Sequence, residues 1–70
     1  MYYLPTLKEL REKAERGQKE VAEALEITQQ QYSLYETGAR ELKLCHLIKL
    51  AKYYGVTTDY ILGLSDKQKP

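Results

Sequence analysis

Three polar side chains, Gln29, Gln30 and Ser33, fall on one side of a short segment with the sequence TQQQYSLYE. Amide and hydroxyl groups can both donate and accept hydrogen bonds. Such groups suit the recognition of another patterned set of donors and acceptors better than they suit covalent chemistry. Glutamines are also good surface residues of a helix, so the segment by itself favours a plain solvated face.

The composition is that of one small folded domain. The chain has 70 residues, of which 43% are hydrophobic and 30% charged, which is typical of a globular protein rather than a disordered one. No apolar run approaches the roughly 18 residues of a membrane span, and the N-terminus lacks the pattern of a signal peptide. The lone Cys45 cannot form an internal disulfide, which fits a reducing cytosol. We therefore expect a cytoplasmic protein without a membrane segment.

The net charge of +1 is unevenly distributed along the chain. Residues 1–27 carry five basic and six acidic side chains, whereas residues 28–56 carry four basic and two acidic ones. The positive excess thus coincides with the glutamine segment and the residues after it. This favours an anionic partner only slightly, because a mixed solvated surface has the same composition.

Hydrophobic spacing and capping residues predict five short helices and no strand. The first helix is expected to begin at Thr6, which has capping-box spacing to Glu9, and to end before Gly17. Its core-facing residues are Leu7, Leu10 and Ala14.

The second and third predicted helices lie close together in the sequence. The second covers about residues 18–25, and a tight turn follows at residues 26–27. Thr28 is expected to cap the third helix with Gln31 in the reciprocal position, and Gly38 to end it. The apolar residues that would join the two helices are Val21, Leu25, Ile27, Tyr32 and Tyr35.

The remaining sequence predicts two more helices. The fourth covers about residues 43–54 and ends at Gly55; the fifth is capped by Thr57 and covers Thr58–Leu62. The predicted core stripe of the fourth helix is Leu44, Leu47, Ile48, Ala51 and Tyr54. Residues 65–70 are polar and are expected to form a flexible tail.

The order and spacing of these segments resemble the Cro/C1-type (Xre-like) helix-turn-helix DNA-binding domains of phage repressors and bacterial regulators. The matching segments are LKELRE, QKEVAEAL, ITQQQYSLYETG, LIKLAKYYGV and TTDYILG. The resemblance covers residues 6–64. It implies a single compact all-α domain over residues 1–70, a five-helix lambda-repressor-like fold with its helix-turn-helix at the second and third helices.

The chain departs from the family pattern at three positions. Glu26 stands where the family usually has Gly, at a turn position that often needs a left-handed backbone. Tyr32 replaces the usual Ile or Val beneath the third helix, and Leu42 replaces a proline in the following loop. These changes concern stability and local geometry, since none of them removes an expected DNA contact.

The resemblance implies that the third helix enters the DNA major groove. Gln29 and Gln30 would then contact base edges, since a glutamine amide matches adenine N6 and N7. Ser33 would contact a base or a phosphate. Leu34 would pack on a thymine methyl group; burial against the first or fourth helix is the alternative.

The same resemblance implies a set of contacts to DNA phosphates, which would position the protein without reading the sequence. Gln18 at the start of the second helix is expected to hold a phosphate and to brace the first residue of the third helix. The candidate phosphate contacts are Gln18, Thr28, Thr37, Arg40 and Lys43.

A structural ion pair is also implied, between Arg11 of the first helix and Glu36 near the end of the third. Such a pair would set the angle of the third helix. The alternative is that Glu36 pairs with Arg40 on the surface, which would contribute little.

Cys45 and His46 are adjacent in the sequence, but without further ligands or partners they predict neither a metal site nor a nucleophile–base pair. No phosphate-binding loop, metal-ligand spacing or catalytic carboxylate pair accompanies them. We therefore expect no enzymatic activity, no cofactor and no metal.

The function expected from the resemblance is a sequence-specific regulator of transcription that binds double-stranded DNA, acts as a repressor and binds as a homodimer. Leu62 and Leu64, or the N-terminal tyrosines, would supply the dimer interface. The alternative is an antitoxin or other interaction module that uses the same helices to bind a toxin or another protein.

Overall fold

The computed structural model describes residues 3–69, and within that range the only regular secondary structure is α-helix. This confirms the all-α fold class. The five helices are, in order, α1 (Pro5–Lys13), α2 (Gln18–Ala24), α3 (Gln29–Thr37), α4 (Leu44–Tyr54) and α5 (Thr58–Leu62).

A single apolar core lies between these helices. Each helix contributes at least one buried residue, and burying a large aliphatic side chain contributes about 1.5–3 kcal/mol. The buried apolar residues are Leu7, Leu10, Val21, Ala22, Leu25, Tyr32, Tyr35, Leu47, Leu50, Ala51 and Ile61. Tyr32 is completely buried, so the core beneath α3 accommodates the larger ring.

The predicted start of α1 is wrong. The helix begins at Pro5 with Leu4 as its N-cap, and no side chain of the described residues caps it, so the expected capping box between Thr6 and Glu9 is not formed. Proline is favoured at the first helical position because its φ angle is already helical. The N–H that proline lacks would have no partner within the helix at that position. Thr6 is therefore the second residue of the helix and not its N-cap.

The first helix ends before Gly17, as predicted, but Gly17 is not the residue that ends it. The helix ends at Lys13, and Glu15 takes the left-handed conformation, with φ of 58°. Gly17 instead has an extended backbone and serves as the N-cap of α2. The chain reverses earlier than the glycine suggested, and the backbone N–H of Arg16 donates to the carbonyl of Arg11 over 3.0 Å.

The turn between α2 and α3 has the geometry that its sequence predicts. Glu26 adopts a φ of 60°, the left-handed conformation expected where a glycine is usual. Thr28 caps α3 through its hydroxyl oxygen, which accepts the Gln31 backbone N–H at 3.1 Å, while the Gln31 side chain accepts the Thr28 N–H at 3.0 Å. This reciprocal pair confirms the predicted start of α3. Gly38 ends the helix with φ of 81°.

The predicted core stripe of α4 is partly wrong. Leu44 is 70% exposed and Ile48 is 42% exposed, whereas Leu50, which the predicted stripe does not include, is completely buried. The buried face is centred on Leu47, Leu50 and Ala51, because the helix is rotated so that positions i, i+3 and i+4 from Leu47 point inward.

The last helix and the segment after it lie close to each other. Thr57 caps α5 by accepting the Tyr60 N–H at 3.0 Å. The backbone N–H of Thr57 donates to the carbonyl of Gln68 at 2.7 Å, and the Gln68 side chain donates to the Tyr60 hydroxyl at 3.2 Å. The expected flexible tail thus makes hydrogen bonds to α5 up to Gln68, and Pro70 lies outside the described residues.

Candidate nucleic-acid interface

The first turn of α3 presents its amides outward. The capping pair uses the side chain of Gln31, while Gln29 and Gln30 are exposed and make no side-chain hydrogen bond to any group in residues 3–69. The cap fixes the backbone from which both amides project. Two unpaired amides on a fixed helix turn are suited to contact an external set of donors and acceptors.

The next turn of α3 continues this outward side. Ser33 is half-buried and Leu34 is 36% exposed, so the structure does not bury Leu34 as the alternative interpretation required. We call the surface formed by Gln29, Gln30, Ser33 and Leu34 the outward face of α3.

The opposite side of α3 carries a buried ion pair. The Arg11 Nε atom donates to Glu36 Oε2 at 2.6 Å, and the Arg11 Nη2 atom donates to Oε1 at 3.2 Å. The side chains are only 14% and 5% exposed, respectively. This is the pair that the resemblance implies, and Glu36 does not bond to Arg40 in the described part of the chain. Two parallel bonds fix orientation better than a single contact.

Gln18 joins this ion pair. Its amide donates to Glu36 Oε1 at 3.1 Å, so the side chain reaches the last turn of α3 rather than its first residue. The expected brace between Gln18 and Gln29 is not formed within the described residues. Glu36 therefore connects α1, α2 and α3.

The environment of Glu36 shifts its pKa downward. Burial alone would raise that pKa, but hydrogen bonds from Arg11 and Gln18 stabilise the carboxylate and outweigh burial. The Tyr32 hydroxyl faces the same carboxylate and helps to lower the pKa, although no group in residues 3–69 meets it in hydrogen-bonding geometry. In return, the pKa of Tyr32 is raised by burial and by Glu36.

A second polar contact joins α3 to α4. The Tyr35 hydroxyl lies 2.7 Å from His46 Nδ1, and the two rings pack edge to face with centroids 5.6 Å apart. The pKa of His46 is lowered by burial and by the positive charges of Lys43 and Lys49. This contact was not predicted, because nothing in a spacing of eleven residues indicates that two side chains on different helices will meet.

The C-terminal end of α3 is closely packed. A Cβ atom on Gly38 would lie 2.9 Å from the backbone of Tyr3. The Arg40 N–H donates to the carbonyl of Leu34 at 3.2 Å, and the Thr37 hydroxyl donates to the same carbonyl at 3.3 Å. This leaves the side chain of Arg40 exposed just after the helix.

The five candidate phosphate contacts differ in which hydrogen-bond donors remain unused by contacts within the protein. Arg40 and Lys43 are exposed cations, and neither forms an ion pair among residues 3–69. The Thr28 oxygen accepts the cap bond, so its hydroxyl proton remains free, whereas Thr37 already donates its proton to Leu34. Gln18 keeps one amide N–H beyond the bond to Glu36.

Residues 3–69 include no group of three or more His, Cys, Asp or Glu side chains placed to hold a metal ion. None of the described helices has the length and hydrophobicity that a bilayer crossing requires.

Comparisons with known proteins agree with this geometry. A helix-turn-helix family model matches residues 7–61. The chain is 44% identical over 63 residues to the HTH-type transcriptional regulator ImmR of Bacillus subtilis (strain 168), a match that covers 90% of this chain and 50% of the relative. It is 35% identical over 68 residues to the uncharacterized HTH-type transcriptional regulator YobD of the same organism, covering 97% of this chain and 61% of the relative. No solved structure gives a significant match.

Proposed function

Because the chain belongs to the helix-turn-helix family, we propose that it is a sequence-specific regulator of transcription that inserts α3 into the major groove of double-stranded DNA. The observation that carries this proposal is the pair of exposed amides of Gln29 and Gln30 on the capped first turn of α3, which bond to no group within residues 3–69. The major groove admits a helix, and a glutamine can bond adenine N6 and N7 together. The chain spans 50% and 61% of the two relatives it matches, so its role in regulation is proposed for this domain.

The contacts of α3 support distinct roles for its two sides. Ser33 and Leu34 extend the outward face by one turn and would contact a base, a phosphate or a thymine methyl group. The buried side, through Glu36 and its bonds to Arg11 and Gln18, would hold α3 at a fixed angle to α1 and α2. A recognition helix needs such support because misplacing it disrupts several base contacts at once.

The phosphate contacts are proposed for residues with a donor to spare. Arg40 and Lys43 supply positive charge, Thr28 supplies a hydroxyl and Gln18 an amide N–H. Thr37 would have to exchange its bond to Leu34 for one to DNA. We rank Thr37 last for this reason.

Repression by a homodimer is the mode of action we propose. One helix reads only a few base pairs, and a two-fold dimer would read two half-sites about 34 Å apart. Leu62 and Leu64, which are 38% and 74% exposed, are the proposed interface residues; of the alternative N-terminal tyrosines, Tyr2 lies outside the described residues. A DNA-binding role implies a cytoplasmic location alongside the chromosome.

Selection of binding sites from a random duplex pool tests the proposal. We expect the pool to converge on adenine-containing half-sites arranged as an inverted repeat about one helical turn apart. A pool that remains random after several rounds at low salt would contradict sequence-specific binding. If the protein instead retains a toxin or another protein stably while shifting no duplex at low salt, the antitoxin interpretation is correct.

Variants of the two exposed cations test the phosphate contacts. Arg40→Ala and Lys43→Ala should weaken binding about equally on selected and random duplexes, and each should reduce the salt slope of log K by about 1. Lys52→Ala serves as a matched control, because Lys52 is an exposed lysine in the last turn of α4. A salt slope that stays unchanged in both variants would exclude these contacts.

A further inference from the structure

His46 presents a hydrogen-bond donor whose position is determined by α3. Its Nδ1 atom lies 2.7 Å from the Tyr35 hydroxyl. Tyr35 is buried, and its hydroxyl has no other hydrogen-bond partner within residues 3–69. Because the hydroxyl proton has no other acceptor within residues 3–69, burial favours donation from the hydroxyl to Nδ1. Donation in that direction assigns the tautomer of the imidazole.

With Nδ1 as the acceptor, the ring proton of neutral His46 resides on Nε2. That atom lies on the other side of the ring from Tyr35. Nε2 bonds to no group within residues 3–69. The buried side-chain atoms without a partner in that range are the hydroxyls of Tyr32 and Tyr54, so Nε2 is not buried. The Nε2–H group therefore reaches the surface as an unused donor.

The surroundings of His46 favour an anion as the acceptor. Lys43 and Lys49 are close enough to act on the imidazole, and no Asp or Glu occurs anywhere from Leu42 to Thr58. Burial and the two lysines lower the pKa of His46, so the ring stays neutral near pH 7 and contributes an N–H donor rather than a charge.

We propose that neutral His46 donates its Nε2–H to a DNA backbone phosphate and thereby connects that phosphate, through Tyr35, to α3. This inference rests on the DNA binding proposed above. His46 adjoins Lys43, an expected phosphate contact, and Tyr35 lies on the buried side of the helix whose outward face meets the bases. This series of hydrogen bonds, from the phosphate to His46 and from His46 to Tyr35, would make His46 a positioning residue. It would set how deeply α3 enters the groove.

Two substitutions separate this role from a purely structural one. In His46→Asn the side-chain oxygen replaces Nδ1 and still accepts from Tyr35, but the amide nitrogen takes the position of Cδ2, so no donor reaches the position of Nε2. In His46→Gln the amide nitrogen replaces Nε2 and still donates outward, but the bond to Tyr35 is lost. The midpoint of urea unfolding reports stability for each variant, and titration of selected and random duplexes reports affinity.

We expect His46→Asn to unfold at nearly the wild-type midpoint but to bind both duplexes about tenfold more weakly, since a hydrogen bond to a charged group is worth about that factor. His46→Gln should lower the unfolding midpoint and keep affinity within about threefold. Affinity losses that follow the stability of the two variants would overturn the proposal, because a structural role predicts that order.

Neutral methylphosphonate links, introduced one at a time into the selected duplex, locate the phosphate. At one position the wild-type protein should lose about tenfold in affinity, while His46→Asn should lose nothing more. Equal losses for both proteins at every position would contradict the contact.

The tautomer can be measured without DNA. Long-range proton–nitrogen spectra of the free protein should show His46 protonated on Nε2, and a proton on Nδ1 would overturn the inference. If the tautomer is as expected but wild-type protein binds no duplex, the proposed function fails. If wild-type protein binds and His46→Asn binds equally well, only the inference about His46 fails.

Discussion

Helices α3 and α4 pack on the same core by different means. The buried side of α3 includes directional polar contacts, with Glu36 bonded to α1 and α2 and Tyr35 bonded to His46 of α4. The fully buried residues of α4 are apolar, namely Leu47, Leu50 and Ala51. Its polar groups contribute less within residues 3–69, because His46 bonds only to Tyr35 and the buried Tyr54 hydroxyl has no partner.

The difference indicates what each helix contributes. Apolar burial is non-directional and scales with area, so it stabilises α4 without specifying its rotation closely. Hydrogen bonds depend steeply on angle, so the contacts of Glu36 and Tyr35 restrict both the rotation and the tilt of α3. The helix proposed to contact the bases is thus the one that polar contacts join to three other helices, α1, α2 and α4.

The largest expected effect is loss of apolar burial from α4. Leu50→Ala should destabilise the protein by about 3 kcal/mol, because a completely buried leucine leaves a cavity. A domain of this size has a stability of only about 3–5 kcal/mol, so the variant should be largely unfolded by mild urea. Leu44→Ala, on the exposed side of the same helix, should change the free energy of unfolding by less than about 0.5 kcal/mol. Equal effects would show that α4 is rotated differently.

The polar support of α3 should contribute somewhat less. Glu36→Ala leaves the Arg11 guanidinium without its partner at 14% exposure, and we expect a loss of about 2–3 kcal/mol, below the range for fully buried pairs. Glu20→Gln removes the charge from the exposed pair with Arg16, whose side chains are about half exposed, and keeps an oxygen that can accept the Gly17 N–H. This variant should cost under about 0.5 kcal/mol. Urea unfolding followed by circular dichroism measures both. A loss at Glu36 no greater than that at Glu20 would mean that the ion pair does not support α3.

The ends of the two helices sharpen the comparison. Gly38 and Gly55 both have positive φ angles, but only at Gly38 would a Cβ atom meet the backbone, that of Tyr3 at 2.9 Å. Gly55→Ala should cost about 1 kcal/mol from backbone strain alone, and Gly38→Ala about 2 kcal/mol because the N-terminal segment must also move. Matching losses in thermal or urea unfolding would show that Tyr3 does not pack against the end of α3.

The pH dependence of stability should show the smallest effect. The pKa of Glu36 is lowered from its ordinary value of 4.5, so its contribution is complete above that value and is lost as the pH falls through the lower pKa of the folded state. The stability difference between wild-type protein and Glu36→Gln, followed by urea unfolding from pH 7 to pH 2.5, should therefore shrink below about pH 4.5. A difference that does not change with pH would place the carboxylate outside the ion pair.

The features that sequence predicts well are local ones. The cap at Thr28 and the ends at Gly38 and Gly55 follow from residue types within one turn of each position. The left-handed turn at Glu26, by contrast, is implied only by the family resemblance. The start of α1 at Pro5 is harder to predict, because the capping-box spacing of Thr6 and Glu9 indicates a different start. The proline and the capping-box spacing are both local signals, and the helix begins where the fixed φ of proline favours it.

The features that sequence predicts poorly depend on contacts between helices. Leu44 and Leu50 are equally apolar, and two stripes of similar quality pass through α4, so only packing against the other helices decides which leucine is buried. The bond between Tyr35 and His46 likewise depends on how α3 and α4 meet. The pair of Arg11 and Glu36 was anticipated from the family resemblance, not from its spacing of 25 residues.

The most direct test of base recognition by the outward face of α3 is the affinity of Gln29→Ala and Gln30→Ala for selected and for random duplexes, measured at one salt concentration. Both glutamines are exposed and unbonded within the described chain, so stability should change by less than about 0.5 kcal/mol. Each variant should lose about 1–3 kcal/mol of binding free energy on the selected site and almost none on random DNA. An equal loss on both duplexes, or no loss on either, would contradict base recognition by α3.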